Sequence, residues 1–507
     1  MRSNRFRLFV TTMAVALLVA PNAPASTSHN NAASNWATAG HDLANTRSNP
    51  AERIISPANA HRLGTKWTAT THGDVSATPA VVDGALYFPD WGGYFSKVDA
   101  RTGATIWSRR VSDYLGREAL SRNSPTVYGN TVYLGSQSGD LIAVDTLTGN
   151  LRWTTKLDDH PAAALTASAI AADGVVYQGV SSLEESLSMD PAYPCCTFRG
   201  SFVAVDANSG QIRWKTRMIP DGYTGGSVWS STPALDRDRR TVYITTSNNY
   251  TVPASVTACQ NAGGTPAECM SPGNRIDSIV ALDIRTGEIK WSTGAGRFDA
   301  WTAACIPGKP PRNCPDNPGE DYAFSDGPHL FEINGRKVVG AGQKSGEYWT
   351  VDAATGEIVW GAAPGPGSKI GGIMWGTATD SKRIYLAEAN YDARPYTLPN
   401  GQTITWGSYA ALDAATGRII WQVGDPDQHH PIGAVTVAND VVYAGSMTGR
   451  MYAFDAATGA VLWSHQGQGS VASGAAVVDG TVYWGNGYYR DGFGKASTTL
   501  YAFSLAD

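Results

Sequence analysis

Seven times along the chain, a run of apolar residues leads into Asp-x-x-(Thr/Ser)-Gly, and a Trp comes four positions after the Gly. The copies run from Asp99 to Trp107, Asp145 to Trp153, Asp206 to Trp214, Asp283 to Trp291, Asp352 to Trp360, Asp413 to Trp421 and Asp455 to Trp463. Each copy predicts a β-hairpin. Gly accepts a positive φ at the turn, Asp can bond the turn's backbone amides, and the Trp on the second strand buries its ring against the next unit.

Between the hairpins lie runs such as Thr126-Val-Tyr-Gly-Asn-Thr-Val-Tyr-Leu-Gly135 and Val477-Val-Asp-Gly-Thr-Val-Tyr-Trp-Gly485. They supply the other two strands of a four-stranded blade. Successive Trp residues are 42 apart at the closest (Trp421 to Trp463) and 77 at the widest (Trp214 to Trp291), so insertions stretch a propeller-length repeat. Two fragments remain: Trp67 has no Asp motif before it, and Leu500-Tyr-Ala-Phe503 has no Trp after it. Joining them completes an eighth blade and removes the open sheet edges. The expected architecture is all-β, an eight-bladed propeller over residues 26–507 closed by its two terminal segments. The repeated Trp residues are packing residues, so function must reside where the repeat is broken.

Composition agrees with many short strands and Gly-rich turns: 55 Gly, 16 Trp and 22 Tyr, with 16% of residues charged. A net charge of -5 gives no basic surface, which argues against nucleic acid as a partner. Arg2, Arg5 and Arg7 precede a nearly unbroken apolar run from Leu8 to Ala20, and Ala23-Pro24-Ala25 offers a small-residue cleavage site. Residues 1–25 therefore read as an export signal; the apolar run is shorter than the roughly 20 residues a membrane span requires. An extracytoplasmic location, periplasmic or secreted, makes six cysteines a disulfide set. Cys259 with Cys269 and Cys305 with Cys314 are local staples, and the simplest partner of Cys195 is Cys196. No Cys-x-x-Cys-His stretch is present, so electrons from any redox step must pass to a separate carrier such as a cytochrome c.

The repeat, from Trp36 onward, resembles that of the pyrroloquinoline quinone (PQQ) dehydrogenases. Non-catalytic assembly factors of bacterial outer membranes share it, so the breaks in the repeat carry the functional reading. Arg122, in Ser121-Arg-Asn-Ser-Pro125, matches the family's arginine for a quinone carboxylate, and a planar guanidinium suits that group. Thr166 and Ser168 match further hydroxyl donors. Gly179-Val-Ser-Ser-Leu-Glu184 is similar to Gly-Asn-Ser-Gly-Ala-Glu, which implies quinone contact for Ser181 and Ca²⁺ ligation for Glu184; the adjacent Glu185 is an alternative ligand. Trp229 falls where the family places the floor under the flat cofactor. Asn248, in Thr246-Ser-Asn248-Asn249, falls on a calcium-binding Asn; oxygen donors of this kind suit a hard cation.

Phe298-Asp299-Ala-Trp301-Thr302 resembles Asp-x-Trp-Asp with Thr302 in place of the base, whereas Asp321-Tyr-Ala matches the residues that run on from that base. The stretch between them carries Cys305 and Cys314 and reads as an insertion. The resemblance thus implies Asp321 as catalytic base and as a metal ligand, with Asp299 the second candidate for the base. Ala323 stands where lanthanide-using relatives carry another Asp, which favours calcium. Lys344 matches the cation that bonds the quinone oxygen, and Trp375 lines the central face. The Cys195-Cys196 doublet resembles the vicinal disulfide that lids the quinone. Cys-Cys-Thr-Phe-Arg-Gly and the Cys305/Cys314 insertion look most like polyvinyl alcohol dehydrogenases.

The resemblance implies hydride transfer from a secondary or polymeric alcohol to Ca²⁺-bound PQQ. The competing class is a propeller that binds proteins or ligands without catalysis, as the assembly factors do. A hydrolase reading has no nucleophile–base arrangement behind it, and His429-His430 reads as an exposed loop.

Overall fold

The computed structural model describes Met1 and residues 35–230, 232–490 and 492–506, so the export signal expected at 1–25 lies outside the described residues apart from Met1. Seven antiparallel sheets succeed one another along the chain. Blades 1 to 7 span residues 80–110, 126–156, 170–217, 234–294, 329–362, 378–424 and 436–466. Blade 8 takes three strands from residues 475–505, and its outermost strand, Leu63–Thr70, comes from the other end of the propeller and pairs with Thr499–Leu505. Inner strands of neighbouring blades touch around the ring.

The repeated turn is built as its residue types dictate. Asp99 Oδ1 accepts the Thr102 amide and hydroxyl, both at 2.8 Å, and the Arg101 amide at 3.1 Å. Gly103 takes φ +74°, and a Cβ there would lie 2.7 Å from the Trp67 ring, so the glycine serves a second purpose. It leaves room for the indole of the neighbouring blade to lie on the turn.

That indole also donates a hydrogen bond to the carbonyl just after the motif Asp: Trp67 to Ala100 (3.1 Å), Trp153 to Ala207 (3.1 Å) and Trp421 to Ala456 (3.0 Å) are examples. Trp463 reaches Leu63 O at 2.8 Å, which carries the same docking across the seam between the chain's ends. Each blade is thus locked to the next by burial of an aromatic face and by one satisfied N–H.

A strap over residues 36–49 was not foreseen. Its backbone bonds the inner strands of six blades in turn, through Trp36 to Val81, Ala37 to Val127, Leu43 to Leu235, Ala44 to Leu330, Thr46 to Thr379 and Arg47 to Val437. It satisfies strand edges that would otherwise face the axial channel. The Arg47 guanidinium sits in that channel on Val435 O, Ala39 O and Thr78 Oγ1.

Strands alternate in direction, so the Asp–Gly turns leave on one face of the ring. The strand 2-to-3 loops and the blade-to-blade connections leave on the other. The long insertions are all on this second face: residues 183–200, residues 246–277 with the Cys259–Cys269 disulfide, and residues 295–328 with Cys305–Cys314. Every candidate site residue of the sequence analysis lies there as well.

Candidate cofactor and active site

The loop Gln343–Glu347 of blade 5 places Lys344 almost wholly inside the protein, with Nζ 2.7 Å from Asp321 Oδ2. The ammonium also lies 5.4 Å from the Trp229 ring centre and 5.9 Å from that of Trp301. Asp321 is 1% exposed and holds φ +57°, and its second oxygen, Oδ1, has no partner. Asp299 receives the amides of Asp321 (3.1 Å) and Tyr322 (2.6 Å), which ties together the two halves of the split motif. Both sequence candidates for the base therefore occupy one site.

Two more acids join them. Glu185 interacts with Lys344 and Asp299, and Asp277, which sequence reasoning missed, faces Asp299 and Asp321. Burial pushes Asp277 and Asp321 well above the usual carboxylate range, and the neighbouring acids add to the shift. Burial raises Glu185 and Asp299 too, and the amides on Asp299 oppose it. Burial alone would lower Lys344, but Asp321, Glu185 and Asp299 together hold it above its ordinary value. Four carboxyl groups around one lysine make a site with a surplus of oxygen donors.

Glu184 lies elsewhere. It is fully buried in its own loop, with Tyr193 Oη on Oε1 (3.0 Å), the Phe198 amide on Oε2 (2.8 Å) and the Thr197 amide shared by both oxygens. Its oxygens are spent on holding the segment that carries the vicinal Cys195–Cys196 disulfide. The reason is local: residues 184–187 form one helical turn, so the two glutamates diverge as helix neighbours do. Glu185, the alternative in the sequence, is the one that faces the acids. The disulfide belongs to the hydrophobic cluster that also holds Val180, Phe198 and Tyr250. Ser181 is buried at the end of the strand Val175–Ser182, opposite Ala164.

Asn248 is fully buried. Its amide donates to Asn249 O (2.8 Å) and Trp301 O (2.9 Å), and its Oδ1 is left without a donor. Asp277 Oδ1 is unpartnered as well. Among the described residues no three His, Cys, Asp or Glu groups converge closely enough to hold a metal by themselves.

The aromatic wall continues from Trp229 to Trp375, whose rings meet edge to face at 5.2 Å. The Arg122 guanidinium lies 5.2 Å from the Trp375 ring centre. Arg122, Thr166, Ser168, Trp375 and Tyr488 line a polar cavity on the propeller axis. Arg122 has no carboxylate partner among the described residues. Ser168 Oγ accepts the Ser124 amide and keeps its own proton available, whereas Thr166 has committed its proton to Trp229 O at 2.5 Å. His429 and His430 are half-buried rather than exposed. His430 stacks on Tyr391 at 4.5 Å, and burial lowers it to about 4.

Residues 63–267 and 405–507 match the PQQ_2 family model, described as outer membrane protein assembly factor BamB, and the chain belongs to this family of quinoprotein-type propellers. Within it the sequence is similar to the polyvinyl alcohol dehydrogenase of Pseudomonas sp, 29% identical over 93% of this chain and 77% of that protein. The enzyme of the same name from Sphingopyxis sp. strain 113P3 is 28% identical over 89% and 73%. The quinohemoprotein alcohol dehydrogenase of Comamonas testosteroni is 25% identical over 93% and 76%. Two solved structures share the fold. The alcohol dehydrogenase ADHIIG of Pseudomonas putida HK5 superposes with a TM-score of 0.71 at 20% identity, covering 93% of this chain and 80% of that one. BamB from Moraxella catarrhalis gives 0.53 at 16%, covering 87% and 99%.

Proposed function

We propose that the chain is an exported, PQQ- and Ca²⁺-dependent dehydrogenase that oxidises secondary or polymeric alcohols such as polyvinyl alcohol. One observation carries the reading: a buried Lys344–Asp321 pair ringed by Trp229, Trp301 and three further acids, with Asp321 Oδ1 and Asn248 Oδ1 left unpartnered. Buried polar atoms without partners are costly, so such a set is consistent with a group bound from outside.

The donor set fits both cofactors. Arg122 and the Ser168 hydroxyl suit a carboxylate on a flat cofactor over Trp229. Asn248 Oδ1, Asp321 Oδ1 and Glu185 supply hard oxygens for Ca²⁺, and Glu185 replaces Glu184 in that role. When bound, the quinone supplies a two-electron acceptor for the hydrogen on a carbinol carbon, and the cation polarises it. The chain's own part is to hold Asp321 beside the substrate hydroxyl, whose proton it accepts; Lys344 fixes the orientation of that carboxylate. Electrons leave to a separate carrier.

The likeness to BamB favours a second reading, a binding scaffold. A scaffold gains nothing from four acids and a lysine buried together, because each charge costs desolvation. Purified apoprotein given PQQ and Ca²⁺ is expected to reduce an electron-accepting dye with polyvinyl alcohol or a secondary alcohol, and Asp321→Asn to abolish it. A protein that binds neither addition would leave the scaffold reading.

A further inference from the structure

A second arginine stands beside Arg122 and has no role in the proposed chemistry. Arg490 ends the first strand of the hairpin Tyr488–Arg490 and Phe493–Lys495, the strand 2-to-3 connection of blade 8, on the same face as the site. Its guanidinium stacks on the Trp91 ring and lies 5.7 Å from the ring centre of Tyr488. The Arg122 guanidinium lies 6.0 Å from the centre of that same Trp91 ring, and it too interacts with Tyr488, which lines the axial cavity. The two cations are close enough to repel one another.

One carboxylate meets Arg490, and none meets Arg122 among the described residues. Asp74 Oδ2 accepts a hydrogen bond from Arg490 Nη1 at 3.2 Å. The same carboxylate also takes the backbone amides of Tyr489 (3.0 Å) and Ser497 (2.8 Å), so it anchors the hairpin as much as it neutralises the arginine. Arg490 Nε and Nη2 are buried and unpartnered. These two nitrogens lie on one edge of the guanidinium and direct their N–H bonds in parallel, the arrangement that donates two bonds to a single carboxylate. Structural stacking alone leaves two buried donors unsatisfied, which is costly.

We propose that Arg490 is a second carboxylate-binding arginine for the quinone, gripping through Nε and Nη2 a carboxylate other than the one held by Arg122. The proposal rests on the PQQ reading. It also accounts for an excess of positive charge beside the cavity, which a tricarboxylate would neutralise.

The test is equilibrium binding of PQQ to apoprotein, monitored by quenching of tryptophan fluorescence, for the wild type, Arg490→Ala and Arg490→Lys. Loss of a charge-assisted fork is expected to weaken PQQ binding by about 10- to 150-fold in Arg490→Ala. Arg490→Lys keeps the charge without the fork and is expected to fall between. PQQ trimethyl ester, which carries no carboxylate, is expected to bind wild type and Arg490→Ala alike. Unfolding temperatures of the apoproteins separate this from a structural role, because Arg490→Lys is expected to match the wild type. PQQ binding by Arg490→Ala within about threefold of wild type, or an equal loss with the ester, would overturn the proposal while leaving the PQQ reading intact. A wild type that binds no PQQ would overturn both.

Discussion

The two adjacent glutamates allow a test that separates the lid from the metal. Glu184 accepts three donors, the Tyr193 hydroxyl and the Thr197 and Phe198 amides, and glutamine in its place keeps one oxygen and turns an NH₂ toward amides that need an acceptor. Losing one charge-assisted bond and stranding one buried N–H costs about 3 kcal/mol. Unfolding entropy of about 2.1 cal/mol/K per residue, over roughly 470 residues, converts that to a fall of about 3 °C. Glu185→Gln should do the opposite in the apoprotein, since it removes a charge from a cluster where burial already penalises acids. Ca²⁺ at about 100 times its Kd adds about 2.7 kcal/mol to the wild type, again about 3 °C. The assay is thermal unfolding with PQQ present, with and without Ca²⁺. Glu184→Gln is expected to start lower and keep the calcium shift; Glu185→Gln is expected to start no lower and lose it. If Glu184→Gln lost the shift without a lower starting point, the assignment of the two carboxylates would be refuted.

Three further outcomes rest on single contacts. Glu388 is fully buried with Oε2 unpartnered, and burial raises it to about 8. A raised carboxyl stabilises the fold fully below its unfolded value near 4.5, and that contribution is lost as pH rises through about 8. Glu388→Gln is therefore expected to unfold at a higher temperature than wild type at about pH 9, with no gain at about pH 4, in a melting series against pH. Trp421→Phe leaves Ala456 O without its indole donor and is expected to cost about 1–3 kcal/mol in denaturant unfolding. Asn313 Nδ2 donates to the carbonyls of Ser188, Asp190 and Tyr193, and so clamps the disulfide-bearing loop to the Cys305–Cys314 insertion. Asn313→Ala is expected to raise hydrogen exchange over residues 188–197 and leave the Asp–Gly turns unchanged.

The ring was legible because one local rule repeats. Asp, Gly and Trp meet at fixed spacing, and each copy specifies both its own turn and its dock on the next blade. The closing blade came from two leftovers, Trp67 and Leu500–Phe503. Three disulfides came from cysteine spacing and export.

The strap at 36–49 was illegible because its bonds are made by main-chain atoms, which leave no side-chain signature. Glu184 and Glu185 could not be told apart by spacing, since a single helical turn that no motif announces decides how each is aimed. Asp277 comes after a long insertion and carries no motif; only its position just before the strand Ser278–Asp283 hinted at the shared face. Asp299 and Asp321 were both legible as candidates. Their joining depends on two amide bonds to one carboxylate across 22 residues, which spacing alone does not reveal.

The central claim is that Asp321 takes a proton from an alcohol at a quinone site. The most direct measurement mixes PQQ- and Ca²⁺-loaded protein with a secondary alcohol under anaerobic conditions, without any electron acceptor, and tracks the quinone absorbance through a single turnover. Wild type is expected to bleach the oxidised quinone band, and Asp321→Asn to bind PQQ yet leave the band intact. Bleaching by Asp321→Asn at the wild-type rate would contradict the account.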